Sequence, residues 1–195
     1  MSQTKTLRDS AALRWTALLL LALAMFCAYI FMDILSPIKD LMESQRGWSS
    51  TAFGTMQGSE TFLNVFVFFL IFAGIILDKM GVRFTAVLSG AVMLCGACIK
   101  YYAISESFIG SGLETWFTNN LNYIPVFDEL GVSPFYEGMP ASAKLAACGF
   151  MIFGCGAEMG GITVSRGIVK WFKGRETALA MVLKWHLLVL ALQHV

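Results

Sequence analysis

The chain has 195 residues, of which 57% are hydrophobic and only 14% charged, with a formal net charge of +1 and a mean hydropathy of +0.68. Soluble domains carry about 25% charged residues, so this composition cannot coat a water-facing globule of such size, and its near-neutral balance gives no electrostatic footprint for nucleic acid. What it specifies is an integral membrane protein, all-α, built as a polytopic bundle of transmembrane helices.

A bilayer crossing takes about 20 mostly apolar helical residues. The first such run, Trp15 to Met32, is 18 residues long. It exceeds the roughly 7–15 residues of a signal-peptide core and no small-residue cleavage site follows it, so it predicts a retained span reaching Pro37. Span two is expected over about Ser59–Leu77, span three over Phe84–Ala103 with Lys100 snorkelling to the interface, and span four over Ala143–Val169. A partial or aberrant fifth span occupies 177–195, after a tail at 1–13 and the four spans within 14–176. The link at 104–142 contains Trp116, Phe117, Tyr123, Phe127, Phe135 and Tyr136 among five acids. It is read as an external loop with an aromatic belt in preference to a folded cap. Cys27, Cys95, Cys98, Cys148 and Cys155 all lie in apolar runs. Although Cys95 and Cys98 have metal-pair spacing, no further ligands stand nearby, so all five are read as packing residues. No cofactor is implied.

The connections alternate in charge. The N-terminal tail (Lys5, Arg8, Arg14), the second link (Lys79, Arg83) and the fourth link (Lys170, Lys173, Arg175) hold eight basic residues on one side. The link at 104–142 has none. Positive-inside asymmetry places the N-terminus in the cytoplasm, in the inner (plasma) membrane of the cell.

Between spans two and three stands GIILDKMGVR, residues 74–83. Asp78 closes a helix, where its charge opposes the helix dipole, so it needs a cationic partner or the N-terminus of another helix, and Lys79 or Arg83 can supply charge locally. Gly81 permits a tight reversal. Gly74, one turn before Asp78, lets a neighbouring helix come close. The pattern resembles the motif between the second and third helices of the major facilitator superfamily, Gly-x-x-x-Asp-(Arg/Lys)-x-Gly-x-(Arg/Lys)-(Arg/Lys). Gly74, Asp78, Lys79, Gly81 and Arg83 fill its places, and Phe84 departs from its final basic position. The resemblance implies a partial N-terminal half of a major facilitator fold, with these residues acting as a gating latch between two six-helix halves.

Glu158 lies in an apolar segment with 13 uncharged residues before it and seven after. An acid at bilayer centre costs roughly 2.5–3.5 kcal/mol on insertion scales, so it faces a cavity or a partner. The alternatives are a contact with substrate or coupling ion, which we favour, and a structural ion pair with Lys100 or Arg166. Arg166 either lines the same path or snorkels. Asp33 is a substrate contact or an interfacial residue, Glu60 is read as interfacial, and Asn64 is a further cavity candidate.

The run from Phe153 to Met181 is similar to the fourth helix and following loop of the superfamily branch that includes the lysosomal dipeptide transporters of animals. It shares the glycine-rich stretch around Glu158, Trp171-Phe172-Lys173-Gly174 and Glu176. Tyr29 to Asp33 resembles that branch's first helix. The resemblance implies that Glu158 belongs to a peptide-binding cavity and holds a peptide ammonium. Gly149 stands where the branch has an arginine. The terminal MVLKWHLLVLALQHV lacks the branch's small-residue segment, and Lys184 and His186 interrupt it. His186 is read as interfacial and His194 as uninformative. The resemblance therefore ends near Ala180, and the chain is expected to be truncated or frame-shifted, its partners being the bilayer, a small-molecule solute and a missing C-terminal half.

The function expected from this reading is secondary or facilitative transport of a small organic solute, with dipeptides preferred, by alternating access. No nucleotide-binding loop is present. The alternative is a non-transporting membrane scaffold or subunit. An intramembrane enzyme is excluded for want of a second catalytic group beside Glu158.

Overall fold

A computed structural model describes residues 10–174 and 176–193, and the expectations for Lys5, Arg8, Arg175 and His194 fall outside those residues. The described residues are helical, without strands: α1 (Ala11–Asp33), α2 (Lys39–Arg46), α3 (Ser50–Gly58), α4 (Phe62–Phe66), α5 (Phe69–Ile104), α6 (Gly112–Asn119), α7 (Pro125–Glu129), α8 (Ala141–Phe172) and α9 (Thr177–Gln193). Three helical stretches among them, Ala11–Arg46, Phe69–Ile104 and Ala141–Phe172, are long and apolar enough to cross a bilayer. This is a membrane protein.

Helix α1 starts where the Ser10 hydroxyl accepts from the Leu13 amide, a common N-terminal cap. Its buried residues Arg14, Leu18, Ala22, Met25 and Ala28 recur at three- and four-residue spacing and so form one stripe. Leu19, Leu20 and Leu23, on the rest of the surface, are exposed. That arrangement suits a helix with protein on one side and lipid around the remainder.

Helix α8 is the hub. Its 32 residues are rich in glycine and alanine, and most are buried. Small residues let backbones approach where lipid supplies no hydrophobic drive between helices. The approach is tightest against the second part of α5, which runs antiparallel to α8. Ser89 faces Gly160, Met93 faces Gly156, Gly96 faces Phe153 and Lys100 faces Gly149. A Cβ on Gly156 would stand 2.7 Å from the Met93 amide nitrogen, and one on Gly149 would stand 2.8 Å from that of Lys100. On another face of α8, Gly154 admits the backbone carbonyl of Glu60, and the Ser59 hydroxyl donates to the Ala147 carbonyl at 3.1 Å.

Span two differs from the continuous helix expected over Ser59–Leu77. Its residues are shared among a 3-10 turn at Ser59–Thr61, α4 and the start of α5, and the chain breaks at Phe68, whose φ of 55° is left-handed. A bulky residue in that conformation stops helical propagation. Helix α5 is itself bent at Gly81, at φ 80° and ψ 171°. Four spans and part of a fifth therefore become three helices of spanning length. α9, with 17 residues, falls short of the usual crossing of about 20.

The link at 104–142 is a packed cap, where a loop was expected. Phe108, Phe117, Phe135 and Met139 are buried. Lys144, 1% exposed in the first turn of α8, donates to the Phe117 carbonyl (2.9 Å), the Asn120 carbonyl (3.0 Å) and Asn122 Oδ1 (2.6 Å). Arg46 reaches the Ile104 carbonyl and Glu106 Oε1, each at 2.7 Å. The Trp48 indole donates to Ser142 Oγ at 2.8 Å. At the opposite end, Trp15 packs edge-on against Phe172 with ring centroids 5.0 Å apart and donates to Glu176 at 3.3 Å. The start of α1, the bend at Gly81 and the turn after α8 thus share one end of the bundle.

Candidate functional site

A cavity of about 300 Å³ opens between α1, α8 and α9. Met25 and Tyr29 contribute from α1; Glu158, Gly161, Ile162 and Ser165 from α8; Lys184 and Trp185 from α9. The α8 residues converge because Glu158, Gly161, Ile162 and Ser165 are three, four and seven positions apart, which places them on one face of a helix. Gly160 and Gly161 both face Met25, and their small size keeps α1 near this wall.

The cavity holds one acid and one amine. Glu158 is half-buried and makes no hydrogen bond or ion pair with a described residue. Lys184, 8% exposed, donates to Ser165 Oγ at 2.8 Å and to the Gly161 carbonyl at 3.4 Å. Its ammonium lies 5.5 Å from the Trp185 ring centroid. Glu158 and Lys184 line the same cavity without forming a salt bridge. The pair can therefore present opposite charges to a small molecule between them.

Neither ion-pair partner considered for Glu158 takes that role. Arg166 is bound to Asp78 at 3.0 Å on the exposed surface and is not among the cavity-lining residues. Lys100 does not snorkel. It is 2% exposed, with its ammonium 3.9 Å from the Phe150 ring centroid and 5.1 Å from that of Phe31. It is trapped because its own backbone packs on Gly149 of α8. The same contact leaves no room for an arginine at 149, where a Cβ would meet the Lys100 backbone.

Asp33 accepts from Gln57 Nε2 at 3.3 Å, and neither it nor Glu60 lines the cavity. Glu60 is not at an interface: its backbone packs on Gly154, well inside α8. Asn64 is 7% exposed and neither amide atom has a hydrogen-bond partner among the described residues. It too lies apart from the cavity lining.

In the 74–83 stretch, Asp78, Lys79 and Arg83 are exposed and Gly81 makes the bend. The partner of Asp78 is Arg166 of α8 rather than Lys79 or Arg83. Gly74 has nothing within 4 Å of a built Cβ, so the close helix contact expected there is absent among the described residues. Cys27, Cys95 and Cys98 are exposed and only Cys155 is fully buried, so packing accounts for fewer of the cysteines than expected.

Lys184, Ser165 and Tyr29 escaped the sequence reading as cavity residues. The signal for Lys184 was present, since a charge interrupting an apolar run costs free energy unless it faces a partner, but its distance in sequence from Glu158 concealed the pairing. Compared with protein-family models, with characterised proteins and with solved structures, the chain matches none.

Proposed function

We propose that this chain forms one wall of a secondary or facilitative carrier for small organic solutes, working by alternating access, with its N-terminus in the cytoplasm and a second helical half completing the path. The observation that carries the reading is the cavity in which Glu158 and Lys184 offer opposite charges without neutralising each other. An intramembrane acid that is not consumed by a structural ion pair is a functional group by default. Glu158 takes the ammonium of a zwitterion and Lys184 its carboxylate, and the resemblance of the run around Glu158 to the dipeptide-carrier branch makes a short peptide the preferred solute. The resemblance of residues 74–83 and 153–181 to major facilitator carriers supports the same class. Asp78 and Arg166 then act at the gate and do not touch solute.

The test is a thermal-shift screen of the purified chain against dipeptides, amino acids, sugars and organic anions. Dipeptides are expected to raise the unfolding midpoint, and Glu158→Gln to abolish that rise while leaving the unliganded midpoint unchanged. Stabilisation by sugars alone, or a dipeptide response intact in Glu158→Gln, overturns the reading. Uptake into proteoliposomes when the chain is assembled with a second half separates a carrier from a non-transporting scaffold.

A further inference from the structure

Lys100 has no role in the cavity, yet its surroundings are unusual for a lysine. The side chain is 2% exposed and its ammonium has no hydrogen-bond partner among the described residues. It faces two aromatic rings, Phe150 at 3.9 Å and Phe31 at 5.1 Å. Asp33 follows Phe31 by two residues at the end of α1, and Glu60 packs on Gly154, one turn of α8 beyond Phe150; neither forms an ion pair with Lys100. Aromatic faces backed by carboxylates are how proteins recognise organic ammonium ions. A lysine used only as filler would gain from replacement by methionine, because a buried cation without an ion pair pays desolvation that nothing returns.

We infer that Phe31, Phe150, Asp33 and Glu60 form a cation-binding site for a primary ammonium ion, and that the Lys100 ammonium is its tethered occupant. The two rings are not among the residues that line the Glu158 cavity, while Glu60 packs on Gly154, one turn of α8 before Glu158. Phe150 and Glu158 are eight residues apart on α8, or about 12 Å at 1.5 Å per residue. Glu60 lies in the 3-10 turn at Ser59–Thr61, which opens the short segment that ends at the break at Phe68. Occupancy of the site is thereby tied to the position of the broken stretch of span two. Because this assignment does not require transport, it stands or falls independently of the proposed function.

The experiment uses the full chain in detergent micelles and n-propylammonium, which replaces the part of the side chain removed by Lys100→Ala. At constant ionic strength, n-propylammonium chloride is expected to raise the unfolding midpoint of Lys100→Ala by about 4 °C, a shift worth roughly 1 kcal/mol for a domain of this size, and n-propanol to do nothing. The wild-type midpoint should not move, because its site is filled. Glu60→Gln in the Lys100→Ala background should remove most of the rescue. Equal effects of amine and alcohol overturn the assignment. Lys100→Met gives a second reading if the alanine variant does not fold. It keeps the shape and loses the charge, so a cation site requires a lower midpoint than wild type, with the loss diminished in the Asp33→Asn background. A midpoint equal to or above wild type means that Lys100 is packing only and refutes the site.

Discussion

Lys144 and Lys100 are both buried lysines in apolar segments, and their surroundings give them opposite physics. Lys144 has three oxygen acceptors from α6 and the turn after it. A positive charge in the first turn of a helix opposes the helix dipole, but three charge-assisted hydrogen bonds outweigh that loss. Lys144→Ala leaves buried carbonyls unmet and is expected to cost about 3 kcal/mol, measured by SDS titration of the purified chain, with the cap residues becoming susceptible to protease first. A change below about 0.5 kcal/mol, within the range of ordinary surface substitutions, would mean that the cap is held by its apolar residues alone. The Asp78–Arg166 pair is the contrasting case. Both side chains are more than half exposed, and such pairs contribute at most about 1 kcal/mol, so the pair adds little to stability. At this scale the sequence was informative about Glu158, whose isolation in an apolar run is visible in one dimension. It was misleading about Lys100, because proximity to the end of a run does not reveal that Gly149 and Gly96 draw that turn of helix into the bundle.

At the scale of elements, the contact between α8 and the second part of α5 is set by where side chains are missing. Gly149, Gly156 and Gly160 fall on one face of α8 opposite Lys100, Met93 and Ser89. Gly156→Val is expected to destabilise the chain by about 3 kcal/mol through overpacking, because the added carbons meet backbone that cannot yield. Gly90→Val on α5, where a Cβ meets nothing within 4 Å, should change stability by less than about 1 kcal/mol, near the scale of helix propensity alone. SDS titration of the two variants side by side checks the contrast, and equal losses would exclude the packing explanation. The glycine richness of α8 was legible beforehand, including its implication of close helix neighbours. Which glycines touch what was not. Gly74 looked like a contact and faces open space, whereas Gly96, unremarked, meets the Phe153 backbone. A helix has glycines on several faces, and sequence alone does not say which face a partner takes.

Across the whole molecule, Arg14, Lys79, Arg83, Lys170 and Lys173 gather at the end formed by the start of α1, the bend at Gly81 and the turn after α8, while the acids of the cap lie at the other. The proposed orientation makes the basic end cytoplasmic. In a cysteine-free background, Ser107→Cys on the cap should react with an impermeant maleimide in intact cells, and Lys79→Cys only after permeabilisation. The reverse pattern would invert the orientation and remove the gating role given to Asp78.

What the sequence determined by itself is the solvent. A charge fraction too small for water and long apolar runs specify helices in lipid, and the isolation of Glu158 follows from the same scarcity of charge. Tertiary structure alone decided the partners. It seated Lys184 across from Glu158, moved Arg166 to Asp78, enclosed Lys100 between two rings, and turned the link at 104–142 into a packed cap. The reason is that hydropathy is a property of single segments and can be summed along the chain. Pairing depends instead on the rotation and depth of each helix against its neighbours, which the small residues of α8 fix only once the helices are packed together.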